Sequence, residues 1–488
     1  MSTLSSIDKP KFRLSQKHLD VNDPDLKIIL SDMQGNILKS HGRSHSRHLF
    51  LKFKGNPKNN RIWLNRLSQQ LTSAYEQHQT ALEFKHYKTE YLFTGILISA
   101  TGYKALGIDD RKIPDDKAFR AGMKDIYFLY DTGSNGVHKR TSNPLNDSPN
   151  SWQNPFNKQI DILIILAYGG PNTDPSLCNR YLDNEIIKIQ NELKNTASIL
   201  AIEEGYTLRN ENNDVIEHFG FVDGLSNPVF FKSDFDYWQN REGTEYYDPS
   251  APFQLVGVND EGGCHKELSF GSYFVYRKIQ QNIKGFKSQA KLLATEISKK
   301  SGSNVSAEYA EVLAFGRHKN GSSLIQKAEN NFSFTEDTKG LKCPFHSHIR
   351  KTNPRGDTTR LRNTPLQNER SRRIVRRGIS YGSKNLNPDK EWTDAGLLFL
   401  SCQSDIEQQF LVTQCGWSDN YNFPSVGTGH DPITGDQNTK PNINNQWQHE
   451  IDGKIIDLDF RYKNLVKILG GEYFFAPSIS FFRNIIEK

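Results

Sequence analysis

Ile160–Tyr168 reads IDILIILAY, the longest nearly unbroken apolar run in the chain. A membrane-spanning helix needs roughly 20 such residues, so this run is too short to cross a bilayer. Its β-branched content and length instead predict a buried strand. Downstream, Asp183–Leu193 carries Ile186, Ile187, Ile189 and Leu193 near helical spacing. Upstream, Leu49–Phe53 (LFLKF) and Leu92–Ile98 (LFTGILI) read as further strands. The second half repeats this alternation. Ser272–Tyr276 (SYFVY), Gly396–Ser401 (GLLFLS) and Tyr473–Phe482 read as strands, with helices predicted at Lys278–Ser298 and Asp405–Cys415. Strands interleaved with helices in both halves predict two α+β units. Their natural boundary lies between Asn210 and Pro228. Long Asn-, Gly- and Pro-rich loops are expected at Asp131–Lys158, Ser233–Gly263 and Asn420–Asn445, a length that often carries function.

The chain has 488 residues, enough for two large domains. Hydrophobic residues are only 35 %, but 29 Phe and 19 Tyr exclude a disordered polymer. The first twenty residues hold neither an apolar signal core nor a twin arginine, so a cytoplasmic protein with no membrane partner is the expectation. Five scattered cysteines without a CxxC pair fit reduced thiols better than a disulfide framework or a structural zinc site. Net charge is +6 and is concentrated. Residues Arg350–Arg377 hold nine Arg and Lys351 against Asp357 and Glu369, a local +8, so all other residues together carry −2. Such a segment can be a solvated surface, a nucleic-acid patch or a pocket for a small anion. It lacks aromatic residues for stacking bases, which weakens the single-strand reading.

Several constellations could carry chemistry. His41, His45 and His48 have spacings a metal could use, but Arg43 and Arg47 between them oppose a cation. His346 and His348 stand at the entrance to the basic segment in CPFHSHIR, where a ligand role gains weight. Asp223 sits between glycines in GFVDG, which reads either as an ordinary turn or as a carboxylate presented on one. Arg376 and Arg377 precede the glycine of RRGISYG.

GFVDG (220–224), CPFHSHIRKTNPR (343–355) and RRIVRRGISYG (372–382), in that order, resemble the dye-decolorizing peroxidase family of haem enzymes. Also similar are DMQGNIL (32–38), GSYFVYRKIQQ (271–281), GLLFLSCQSDIEQQF (396–410), GHDPITG (429–435) and GGEYFFAPSIS (470–480), so the resemblance covers nearly everything after about residue 30. It implies two ferredoxin-like α+β domains, each an antiparallel sheet with helices, at 1–225 and 226–488. One haem b per chain would be held mainly by the C-terminal domain. It implies a peroxidase that uses hydrogen peroxide to oxidise bulky dyes, phenols or other aromatic donors, with no nucleic-acid partner and with oligomerisation left open. A haem-handling protein with incidental peroxidase activity would share the same pocket.

By motif position, His348 matches the iron ligand, and His346 stands where the family usually has a small residue. Asp223 and Arg376 match the catalytic carboxylate and arginine, and Arg355 the arginine on a haem propionate. Asp431 is the first candidate for the carboxylate behind the ligating histidine, Asp405 the second. Asn227 and Ser380 depart from the family's usual Gln and Pro. Trp392, Trp417, Tyr381 and Tyr421 are candidate electron relays for donors too large to enter. The chemistry suits these residue types. A carboxylate moves the peroxide proton and titrates lower than histidine would. An arginine holds its charge where negative charge develops.

Overall fold

The computed structural model describes residues 12–124, 128–131, 138–141, 145, 147–193, 195–265, 267–383, 390–435 and 446–487. Residues 1–11 and parts of the expected loops at 131–158 and 420–445 lie outside the described residues.

In the first half, strand β1 (His45–Phe53) leads through helices Pro57–Leu67 and Ala74–Tyr87 to β2 (Phe93–Ile98). Then come β3 (Ile162–Tyr168), helix Pro175–Leu193 and β4 (Ala197–Tyr206), and the strands lie in the order β4-β1-β3-β2. The second half repeats the plan. Strand β5 (Phe270–Gln281) leads through helices Ile283–Ser301 and Ala307–Phe315 to β6 (Ile379–Gly382). After it come β7 (Ala395–Gln403), the π-helix Ile406–Ser418 and β8 (Val466–Ala476), in the order β6-β7-β5-β8. Both halves are antiparallel β-α-β-β-α-β units of the ferredoxin-like kind. The first strand pairs with the last across a register shift in each unit, at Phe50/Leu51 and at Lys278/Ile279. Such irregularities increase local twist.

The two sheets close on each other. Edge strand β2 meets β8 at Ile98–Phe475, and edge strand β4 meets β6 at Tyr206–Ser380. A closed ring leaves these edges paired instead of open to other chains. It also explains the apolar run of Ile160–Tyr168. Strand β3 is buried on both faces, inward to the ring and outward to helix Pro175–Leu193, so it reads apolar without alternation.

DMQGNIL stitches the seam between β2 and β8. Buried Gln34 donates through Nε2 to Ile96 O and Pro477 O, both at 2.8 Å, and its Oε1 accepts from Ile96 N at 2.9 Å. Asp32 accepts from Ser480 N at 2.6 Å and from Ser269 Oγ at 2.7 Å. Gln34→Ala leaves three buried backbone groups without their partner, each costing about 1–3 kcal/mol unless water replaces it. We expect a loss of about 2–4 kcal/mol, read as a lower urea midpoint at unchanged m value.

Three expectations need correction. The strand predicted over Tyr473–Phe482 ends at Ala476, because Pro477 offers no N–H and Ser478 caps helix Ile479–Arg483. The helix predicted from Lys278 starts at Ile283, because Lys278–Gln281 complete β5 and Asn282 Oδ1 accepts from Gly285 N. The loop predicted at Ser233–Gly263 contains helix Lys232–Glu242, which buries no residue and so shows no apolar period.

Candidate functional site

A cavity of about 1830 Å³, open solvent at its mouth included, lies in the second half and reaches residues 217–228, which join the units. Asp223, His348, Arg355 and Arg376 all line it.

His348 opens the short helix His348–Thr352, and its neighbours fix which way it faces. Arg350, fully buried, donates to Asp337 at 2.9 Å and Asp357 at 2.6 Å and lies 4.3 Å from the ring centres of Phe334 and Phe345. Buried Lys351 donates to the carbonyls of Trp417 and Asn420 at 3.1 and 2.7 Å, and burial lowers its pKa to about 7. With 350 and 351 anchored in protein, 348 is left on the cavity side. Its Nδ1 donates to Asp431 Oδ2 at 2.7 Å. Asp431 is wholly buried, and its Oδ1 accepts from Ile433 N at 2.7 Å and Thr434 N at 3.0 Å. Burial pushes this carboxyl up, but His348 and these donors together hold it below the usual value. The pairing fixes the tautomer. With its proton on Nδ1, His348 keeps a lone pair on Nε2, which has no hydrogen-bond partner among the described residues. Asp405, the second candidate, instead caps the π-helix through Gln408 N at 2.7 Å.

Asp223 follows a tight turn in which Gly220 has φ +95° and Gly224 φ +82°. Asp223 Oδ1 accepts from Gly224 N at 2.6 Å and from Arg376 Nη1 at 3.3 Å. Asn227, one of the departures from the family pattern, ties the two together. Its Oδ1 accepts from Arg376 N at 3.0 Å, and its Nδ2 donates to Gly224 O at 3.3 Å. Arg377 points the other way. Its guanidinium is buried and donates to Asn36 O and Ile37 O, both at 2.8 Å.

Arg355, with φ +49°, is held by Asn330 O at 2.6 Å, Phe332 O at 2.7 Å and Ser226 Oγ at 2.8 Å. Its guanidinium stacks 3.8 Å from Tyr247 and 3.7 Å from Phe332. Burial lowers it to about 10. Arg317, which the sequence reading did not single out, shares Ser226 Oγ at 2.6 Å and is lowered to about 9, by burial first and then by Arg355 and Arg376. Both remain cations at neutral pH. Arg317, Arg355, Arg373 and Arg376 line the cavity against Asp223 and Glu217, and Arg277 is already paired with Asp147 at 2.8 Å. The remaining walls are aromatic and aliphatic, including Phe219, Phe221, Phe399, Phe410, Leu397 and Ile468. Phe315 stands edge-on to His348 with ring centres 6.0 Å apart.

Other candidates fall elsewhere. His41 stacks on Phe93 at 5.1 Å and His48 packs on Tyr276, and burial lowers both to about 3, so they are neutral. The His346 ring lies edge-on to Trp447 at 4.9 Å and is lowered to about 4, chiefly by burial. Among the described residues no group of three or more His, Cys, Asp or Glu is placed to hold a metal ion. None of the described helices is long and apolar enough to cross a membrane. Trp417 stacks on Phe423 at 5.2 Å, and Tyr381 is buried.

Residues 214–422 match the model of the family described as Dyp-type peroxidase, C-terminal. The chain is 33 % identical to a multifunctional dye peroxidase from Amycolatopsis sp., over 94 % of this chain and 96 % of that protein. It is 28 % identical to a dye-decolorizing peroxidase from Mycetinis scorodonius, over 94 % and 87 %. Among solved structures it is similar to a DyP-type peroxidase from Anabaena sp., with TM-score 0.82 and 35 % identity over 97 % of this chain and 98 % of that one.

Proposed function

The chain belongs to the dye-decolorizing peroxidase family, and from that premise we propose that its cavity holds one haem b through His348. The protein is a peroxidase that uses hydrogen peroxide to oxidise dyes and phenolic donors. The cavity's chemistry fits haem in three ways. A directed lone pair on His348 Nε2 suits the iron. Aromatic and aliphatic walls suit the porphyrin faces. The excess of guanidinium over carboxylate suits two propionates, which Arg355 and Arg317 are placed to receive. The observation that carries the assignment is that one cavity is lined both by His348, with buried Asp431 behind it, and by the Asp223–Arg376 pair.

Haem held there by His348 would supply the redox chemistry that reduces peroxide and that the donor restores. The chain's residues do the rest. Asp431 makes His348 a stronger base and keeps its ring from turning. Ionised Asp223 takes the proton from one peroxide oxygen and returns it to the other, so that the O–O bond breaks with water leaving. Arg376, which cannot deprotonate, offsets the negative charge that grows on the departing oxygen. The aromatic walls keep bulk water from competing for the proton. Donors too bulky to enter pass electrons through the protein, with Trp392, Trp417, Tyr381 and Tyr421 as relay candidates. Residues 1–225 then form the unit that presents Asp223, and 226–488 the unit that presents His348.

Purified protein supplied with haem should show a Soret band and bleach an anthraquinone dye only when peroxide is present. A haem-loaded protein that gives no peroxide-dependent bleaching, yet releases its haem to a scavenger, would overturn this reading in favour of haem handling.

A further inference from the structure

Glu217 lies on the wall of two cavities at once. One is the cavity of Asp223 and His348. The other is a cavity of about 1090 Å³, open solvent at its mouth included, whose mixed lining includes Ser44, His45, Thr207, Arg209, Ile216 and His218. The carboxylate is fixed by the turn it starts. Oε2 accepts from Phe219 N at 2.8 Å and Oε1 from Phe221 N at 3.0 Å, and Gln281 Nε2 donates to Oε2. Gln281, which lines the main cavity, has its Oε1 buried with no hydrogen-bond partner among the described residues. His218 Nε2 donates to Tyr381 O at 2.8 Å, which leaves Nδ1 as an acceptor.

We propose that Glu217 is the group through which protons pass from the second cavity into the peroxide cavity during donor oxidation. The inference rests on the peroxidase reading and deepens it. Reduction of peroxide follows H2O2 + 2 H⁺ + 2 e⁻ → 2 H2O. Asp223 only moves a proton that peroxide already carries from one oxygen to the other. The second oxygen leaves as water after two electrons and two further protons arrive. A donor AH oxidised at the surface gives A• + H⁺ + e⁻ and releases its proton to solvent, so the electron arrives without it. The protons therefore need an entry of their own, and Asp223 is already committed to Arg376 and Gly224.

A carboxylate serving only to cap the turn would stay ionised. Burial instead raises Glu217 to about 7, against the pull of its three donors and with Asp223 adding to the rise. Other ionisable groups on the two walls are His45, Arg209 and His218 on the second cavity and Asp223, Arg277, Arg317, His318, His348, Arg355, Arg373 and Arg376 on the first. A carboxyl that delivers protons works below its own pKa, so dye turnover should fall as pH rises through about 7.

Holoenzyme of wild type, Glu217→Gln and Glu217→Asp tests this. In Glu217→Gln, kcat for a bulky dye in mild acid should drop at least about ten-fold at unchanged KM, and the limb near pH 7 should disappear. The pre-steady-state rate with peroxide should stay within about two-fold. Glu217→Asp should restore a limb at a shifted pH. Independently of turnover, infrared difference spectra of wild type should show a protonated carboxyl titrating near pH 7 that shifts in Glu217→Asp and is missing in Glu217→Gln. A wild type without that titrating carboxyl, or a Glu217→Gln enzyme that keeps kcat and the limb, overturns the proposal. Should Glu217→Gln fail to fold, the wild-type and Glu217→Asp spectra decide. A wild type with no Soret band or no peroxide-dependent bleaching would mark failure of the peroxidase reading instead.

Discussion

His348→Ala should strip the protein of most of its haem while the chain stays folded. The helix that bears His348 is not held by that side chain. It is held by the Arg350 pairs with Asp337 and Asp357 and by Lys351 on the carbonyls of Trp417 and Asn420. Removing the imidazole therefore removes the iron's donor and leaves its platform in place. Asp431→Asn should act in the same direction more weakly, lowering haem affinity by about 10–100-fold, because the ring loses its anionic partner but keeps its lone pair. His346→Ala is the control. That ring faces Trp447 and is absent from the cavity wall, so its loss should leave haem content within about two-fold. The ratio of Soret to protein absorbance measures all three. Retention of haem by His348→Ala together with its loss from His346→Ala would falsify the assignment of the ligand.

The two-unit plan was legible because strands and helices alternate in each half, yet the sequence alone could not say that the units close into one ring. The contacts that close it are two single strand pairings and the Gln34 bonds, which leave no periodic trace. The site motifs were legible as an ordered set, and the geometry puts Asp223 beside Arg376 and Asp431 beside His348. Arg317 and Glu217 were missed for a common reason. Each is one charged residue among dozens, and only burial against loop carbonyls or backbone N–H groups distinguishes them. The basic segment was legible as a charge count but not as a distribution. Arg350 is neutralised by two buried aspartates, Lys351 is held by backbone carbonyls, Arg360 pairs with Asp357 and Arg377 holds the N-terminal seam, whereas Arg355, Arg373 and Arg376 line the cavity. Much of the +8 is therefore interior structure, and what reaches the cavity is a small subset aimed at one volume. The π-helix Ile406–Ser418 was expected as an ordinary helix, since one residue more per hydrogen-bonded ring scarcely alters the apolar pattern.

Arg376→Leu should slow the peroxide-driven loss of the resting Soret band by about 10²–10³-fold, the usual effect of removing one preorganised donor from a developing anion. Arg377→Leu should leave that rate within about two-fold per folded molecule, although it removes the same charge from the same dipeptide. Adjacent residues in an extended stretch face opposite sides. Arg376 meets Asp223, whereas Arg377 binds Asn36 O and Ile37 O. Its loss strands buried carbonyls and should appear as about 2–4 kcal/mol of stability in denaturant titrations. Equal kinetic effects of the two variants, or the reverse order, would sink the assignment of Arg376. Asp223→Asn keeps the shape of the turn, because an amide oxygen can still accept from Gly224 N and Arg376 Nη1, but it removes the base. In wild type the peroxide step uses the carboxylate as its base, while donor oxidation consumes protons. Stopped-flow traces of Asp223→Asn should therefore show a peroxide step slower by about 10²–10⁴-fold. A rate and profile equal to wild type would mean that Arg376 or water moves the proton and that Asp223 only holds Arg376 in position.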